Sequence, residues 1–203
     1  MNQKCFILHT MTSKIFLSVF LAVSLWIIGC SESTSNSAAK TSTAPVSIEA
    51  ISAEAKGFTV GSAMSARTVY VFFDAQCPHC GALWYAAKPL KSQAKFVWIP
   101  VALMNPASSS QGAALLAASD GAAAMDAHEA SMMAKGGGID AASNSDAQKE
   151  AVKKNTELMT RFGFASIPTV VAINAQTGVL VKQEGALQTA DLARLLGLQM
   201  PAP

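Results

Sequence analysis

The sequence predicts an α/β domain with a block of helices inserted midway, on three observations. First, "RTVYVFFD" (67–74) is a near-continuous apolar run with β-branched and aromatic residues, the pattern of a strand buried on both faces. Second, two cysteines follow at once, Cys77 and Cys80, with Pro78 suited to the first turn of a helix. Third, an alanine-rich stretch over about 107–161 separates a second strand, "KFVWIPVAL" (95–103), from "PTVVAINAQTGVLVKQEG", which reads as a hairpin.

The first thirty residues read as an address. Lys14 precedes "IFLSVFLAVSLWIIGC", a short apolar run with the layout of a secretory signal and too short for a comfortable membrane span. Met11 is an alternative start that would leave Cys5 and His9 outside the protein. The ending "IIGC" resembles a bacterial lipobox. That resemblance implies a signal over 1–29, cleavage before Cys30, lipid on its sulfur and, with Ser31 next, an outer-membrane address. The alternative is an ordinary signal cut a few residues later, which removes Cys30. "SESTSNSAAKTSTAP" (31–45) is small, polar and without pattern, and reads as a tether to a domain over 46–203.

Composition narrows the partners. Hydrophobic residues make up 51% and charged residues 14%, which suits a globular core. A net charge of +2 argues against nucleic acid. Loss of residues 1–29 leaves 13 basic and 13 acidic side chains, so attraction to anionic lipid or acidic substrates is weak.

Along the domain, "VSIEAISAEAKG" has helical spacing with Ile48, Ile51 and Ala55 near one face, and "FTVG" is a short strand. A helix opens at Cys77 and runs toward Lys88, where Pro89 ends or kinks it. Two short helices break near Gly121 and end at Gly136–Gly138; Met125, Met132 and Met133 have core spacing there, and His128 reads as a surface residue. A third helix turns Val152, Leu158, Met159 and Phe162 inward. The hairpin pairs Val170–Ile173 with Val179–Gln183, and "TADLARLLGL" closes the chain as a helix with Thr189 as N-cap.

Cys77 and Cys80 are the only cysteines left in the folded part. Zinc fits them poorly: a structural site wants four Cys or His ligands, His79 lies between the pair and His128 is remote. A staple fits poorly too, because so small a loop removes little entropy from the unfolded chain. A bond that opens and closes fits well. A thiolate at a helix N-terminus is stabilised by the dipole and free N–H groups. Cys77 would be that thiolate, and Cys80, a turn inward, the resolving thiol. A proline entering a strand, as Pro168 does, wants a structural reason.

The element order is that of a thioredoxin-like fold with a helical insertion between the second central strand and the proline strand. "YVFFDAQCPHCGALW", "WIPVAL", "NTELMTRFGFASIPT" and "EGALQTADLARLLG" resemble the catalytic domain of periplasmic DsbG/DsbC-type thiol:disulfide interchange proteins over roughly 46–198. The 91 positions from Cys77 to Pro168 resemble that group as well. The resemblance implies a cis bond before Pro168, with Ile167, Pro168 and Thr169 presenting backbone to an extended substrate.

Three departures qualify it. A dimerisation domain precedes the catalytic domain in that group; only about twenty residues separate the tether from the first strand here, so none is expected. Ile167 stands where DsbC and DsbG typically have threonine. The Pro78-His79 dipeptide matches the oxidase DsbA, and a histidine there stabilises the Cys77 thiolate and makes the disulfide more oxidising. The buried acid that thioredoxin and DsbA carry six residues before the first cysteine is Val71 here. Asp74 is instead DsbC/DsbG-like, or simply caps the start of the helix region.

The expectation is a lipid-anchored thiol:disulfide oxidoreductase of the periplasm. It would act on cysteines of exported proteins, use no cofactor or metal, exchange electrons with a membrane redox partner, and be monomeric. Its substrates would be disulfides or sulfenic acids. A DsbA-like disulfide donor is the alternative within the class. Outside it stands a copper-handling dithiol chaperone, with Met64 or Met104 near the pair.

Overall fold

The computed structural model describes residues 43–141 and 146–200. Cys30 and most of the tether lie outside them. Five strands form one sheet in the order β1-β3-β2-β4-β5. They are β1 (Phe58–Gly61), β2 (Thr68–Asp74), β3 (Lys95–Val101), β4 (Thr169–Ile173) and β5 (Leu180–Glu184). β2 and β3 run parallel, in register from Thr68 opposite Lys95 to Asp74 opposite Val101. The other three pairings are antiparallel.

β2 is apolar from Val69 to Phe73, as suits a strand whose two faces are both covered by helices. Val69, Val71 and Phe73 join one core, built with Leu83, Trp84, Met125 and Leu192. Tyr70 and Phe72 join the other, with Ile51, Leu158, Met159 and Phe162. The first core therefore packs α2 (Pro78–Ala87), α4 (Gly121–Met133) and α6 (Thr189–Leu196) on one side of the sheet. The second packs α1 (Ile48–Glu54) and α5 (Asp146–Arg161) on the other. Trp84, Trp98 and Phe73 form an edge-to-face chain, with centroids 5.0 and 5.5 Å apart. Burying each such ring contributes about 1.5–3 kcal/mol.

α3 (Pro106–Ala117) packs on β3 and α5, opened by an Asn105–Ser108 capping box with Pro106 in the first turn. The inserted helices thus fall on both sides of the sheet, and α4 meets α2 at Gly81 and Trp84. Three expectations change. His128 is fully buried, because both ring nitrogens find backbone partners. Met133 is 72% exposed at the last turn of α4, while Met125 alone of the three methionines there is fully buried. Thr189 is not the cap of α6: Gln188 holds that position, and the Thr189 hydroxyl donates to the Ala86 carbonyl of α2 at 2.9 Å.

Candidate active site

Asp74 ends β2 and organises the turn into α2. Its carboxylate accepts from the N–H groups of Gln76 (2.8 Å), Leu103 (2.7 Å) and Met104 (3.0 Å), tying the ends of the two parallel strands together. Capping describes only part of this role. The Asp74 N–H donates to Cys80 Sγ at 3.4 Å, and the Cys77 N–H donates to the Asp74 carbonyl at 3.0 Å.

Cys77 is the N-cap of α2 in extended conformation, and Pro78 fills the first turn, where a missing N–H costs nothing. Both sulfurs are reduced and buried: Cys77 is 6% exposed and Cys80 fully enclosed. Pro78 and His79 face solvent. The Cys77 pKa is lowered to about 6. The Cys80 thiol's hydrogen bond is the main cause, helped by the N–H groups of Cys80 and His79 and by the His79 charge, against the cost of burial. Burial pushes the Cys80 thiol far up, and the neighbouring Cys77 thiolate adds to the rise. One thiol is thus poised as nucleophile at neutral pH and the other held protonated.

The Ile167–Pro168 bond is cis. It places the Ile167 carbonyl 4.0 Å from Cys77 Sγ, within reach of the thiol's proton. Thr169 is buried at the start of β4, its hydroxyl donating to the Ser166 carbonyl. The Ile167 carbonyl thus faces Cys77, with Pro168 and Thr169 following it into β4.

Several residues that the sequence did not single out complete the site. A cavity of about 340 Å³ opens beside Cys77, lined mainly by Gly81, Tyr85, Glu129, Met132 and Met133. Glu129 is 5% exposed and its pKa is raised to about 7, first by burial and then by the Cys77 charge. Gly81 makes room for it: a Cβ there would collide with the Glu129 carboxylate. α4 is held to α2 by Trp84, whose indole N–H donates to Asp126 at 2.7 Å, and by Lys88, which pairs with the same oxygen at 2.5 Å. Gln76 donates to Gln111, and Gln111 donates to the carbonyls of Gly137 (2.7 Å) and Ile139 (3.2 Å), fixing the loop after α4. In the sequence Glu129 stands out only as one of two acids on an alanine-rich helix, three positions after Asp126.

Among the described residues no group of three or more His, Cys, Asp or Glu side chains converges to hold a metal ion. Met64 is 96% exposed and Met104 53%, and neither lines the cavity beside Cys77. No described helix is long and apolar enough to cross a membrane.

Fold and site together define a protein with a cysteine pair at a helix N-terminus, beside a cis-proline that opens a strand of the same mixed sheet. The chain belongs to the thioredoxin-like domain family, whose model matches residues 59–199. It is 34% identical over 143 residues to the thiol:disulfide interchange protein DsbG of Pseudomonas aeruginosa. That match covers 68% of this chain and 54% of DsbG, so the chain spans about half the length of that relative. Among solved structures, the catalytic domain of Proteus mirabilis ScsC superposes with a TM-score of 0.59 at 18% identity, covering 73% of this chain and 92% of that one. Pseudomonas aeruginosa DsbA2 superposes at 0.55 with 21% identity, covering 68% and 91%. These two show the shared fold.

Proposed function

We propose that this protein is a thiol:disulfide oxidoreductase of the bacterial cell envelope, acting on cysteines of exported proteins through Cys77 and Cys80. The observation that carries the reading is the asymmetry of the pair: an acidic thiol at the helix N-cap beside an enclosed, strongly basic one. The likeness to DsbG supports the class of substrate.

In the reducing direction the Cys77 thiolate attacks one sulfur of a substrate disulfide. A mixed disulfide forms and the other substrate sulfur leaves with the electron pair. Cys80 then loses its proton and attacks Cys77 Sγ. The substrate departs reduced by two electrons, and the Cys77–Cys80 disulfide holds the oxidation. The reverse sequence donates that disulfide. Backbone at Ile167 and Thr169, either side of Pro168, would hold the substrate extended. The chemistry calls for no cofactor, only a membrane redox partner to reset the pair.

The trapping test is direct. C80A should accumulate mixed disulfides with envelope proteins and C77A should not; equal trapping by both would remove these roles.

The low pKa of Cys77 favours a second reading, disulfide donation. A thiolate that persists at pH 7 stabilises the reduced form and makes the disulfide a stronger oxidant. The reduction potential decides the direction: about −120 mV means donation, and about −270 mV means reduction.

Lipid on Cys30, an outer-membrane address and a monomeric state complete the proposal. Labelling with a fatty acid, lost in C30A, would establish the anchor.

A further inference from the structure

Two buried carboxyl groups flank the dithiol, and only one has a structural task. Asp74 accepts from three backbone N–H groups. Glu129 receives no hydrogen bond from any described residue, yet it is 95% buried and lines the cavity that opens beside Cys77. The chain keeps it there by leaving position 81 without a side chain. Met132, Met133 and Tyr85 make the cavity walls largely apolar. A substrate sulfur bonded to Cys77 must occupy the space in front of that thiol, where this carboxyl is exposed to it.

We propose that Glu129 is the acid–base group of the site, exchanging a proton with the substrate's sulfur as its bond at Cys77 changes. The inference rests on the oxidoreductase reading. When the Cys77 thiolate attacks a substrate disulfide, the electron pair of the broken S–S bond goes to the departing sulfur. The Glu129 carboxylic acid gives that sulfur its proton, leaving a free substrate thiol and a carboxylate, which is reprotonated from solvent through the open cavity. In the reverse step a substrate thiol attacks the mixed disulfide. Its proton passes to the Glu129 carboxylate as Cys77 leaves as thiolate.

Burial among apolar walls, with the Cys77 charge nearby, holds the Glu129 proton up to about pH 7. No other charge around it cancels this effect. On α2, His79 faces solvent and Cys80 stays protonated. Asp74 is taken up by backbone donors. On α4, Asp126 pairs with Lys88, and His128 bonds Ala75 and Ile139. The reducing step then wants Cys77 ionised and Glu129 protonated, two conditions met together between about pH 6 and 7.

The test compares the full chain with E129Q and E129D against two disulfides of unlike leaving groups: an aliphatic one and Ellman's reagent, whose aromatic thiolate leaves without help. E129Q should slow reduction of the aliphatic disulfide about tenfold. That is less than the ~10²–10⁴ of general acid–base catalysis elsewhere, because even an aliphatic thiolate is a fair leaving group. E129Q should barely alter the reaction with Ellman's reagent, and the fall in rate near pH 7 should vanish. E129D should restore part of the aliphatic rate. Thiolate absorbance needs no turnover, and in E129Q it should show Cys77 titrating lower, since a like charge is gone. Equal loss on both disulfides, an unmoved pH limb or an unmoved Cys77 titration would each overturn the proposal while leaving the oxidoreductase reading intact. A wild-type protein that reduces neither disulfide would overturn both.

Discussion

His128 Nε2 lies 2.6 Å from the carbonyl of Ala75, a residue 53 positions earlier and two before the nucleophilic cysteine. Its other nitrogen, Nδ1, accepts from the Ile139 N–H at 3.2 Å. The two contacts assign one neutral tautomer, with the proton on Nε2. Burial holds the His128 pKa below the ordinary value of 6.5, against the opposing pull of the Ala75 carbonyl and the Asp74 charge. H128A strands two backbone groups and leaves a cavity, so it should cost about 3 kcal/mol in a urea titration. The unfolded chain protonates this residue more readily than the folded one. Stability from His128 is therefore complete above about pH 6.5 and lost as pH falls through the lower, folded-state value. H128Q should flatten that acid-side loss.

Alkylation of the reduced protein should follow a single titration near pH 6, from Cys77. Cys80 should react only in denaturant. Because the Cys77 pKa falls on folding from 9.0 to about 6, the reduced protein gains stability above pH 9 that it loses as pH drops through 6. Urea midpoints of C77S across this range should lack that trend. Alkylation of both Cys77 and Cys80 in the native molecule at pH 7 would contradict the assigned asymmetry.

G81A should turn the Glu129 side chain into the neighbouring cavity rather than part the helices, because the new methyl group meets only the end of that flexible side chain. The cost should therefore lie at or below the low end of the about 1–3 kcal/mol that overpacking a core carries. The double variant G81A/E129A should recover much of the loss. Simple addition of the two single effects in thermal melts would mean that the positions do not interact.

D74N should be more damaging than its near-identical shape suggests. An amide nitrogen cannot accept, so whichever way it turns, at least one of the N–H groups of Gln76, Leu103 and Met104 loses its partner. The expected cost is about 2–3 kcal/mol, with altered reactivity of Cys77 as the turn loosens. Wild-type stability in D74N would show that the turn holds by other means.

Residues 46–203 should behave as a monomer in light scattering, with weak isomerase activity toward scrambled ribonuclease and stronger simple exchange. A concentration-independent dimer that refolds scrambled ribonuclease efficiently would reverse this.

Much of this was legible in the residues themselves. β2 could be read because an unbroken run of β-branched and aromatic residues suits a strand covered on both faces and little else of that length. The CxxC pair and its helix were legible because each carries a local chemical constraint, while the cis bond before Pro168 was implied by the family resemblance alone. His128 was misread because alanine-rich α4 has little apolar contrast to mark its inner face; its burial depends on carbonyls and amides supplied by distant backbone. Glu129 was missed for a related reason: its neighbour Gly81 lies 48 positions away and offers only an absence of side chain. Thr189 was misplaced by one residue because its hydroxyl serves α2 rather than its own helix.

The site is assembled from pieces that leave the ribosome at different times. The Ile167 carbonyl that meets Cys77 lies 90 positions downstream. At about 5–20 residues per second, several seconds separate their emergence. During that interval the two cysteines sit on a chain with no α4 beside α2 and no proline opposite. The acidity of Cys77 comes from residues 77–80 once they are held as a helix N-terminus, whereas the enclosure of both thiols comes from the finished domain. The pair is covered and matched to its cis-proline only once the chain has been made past residue 168 and folded.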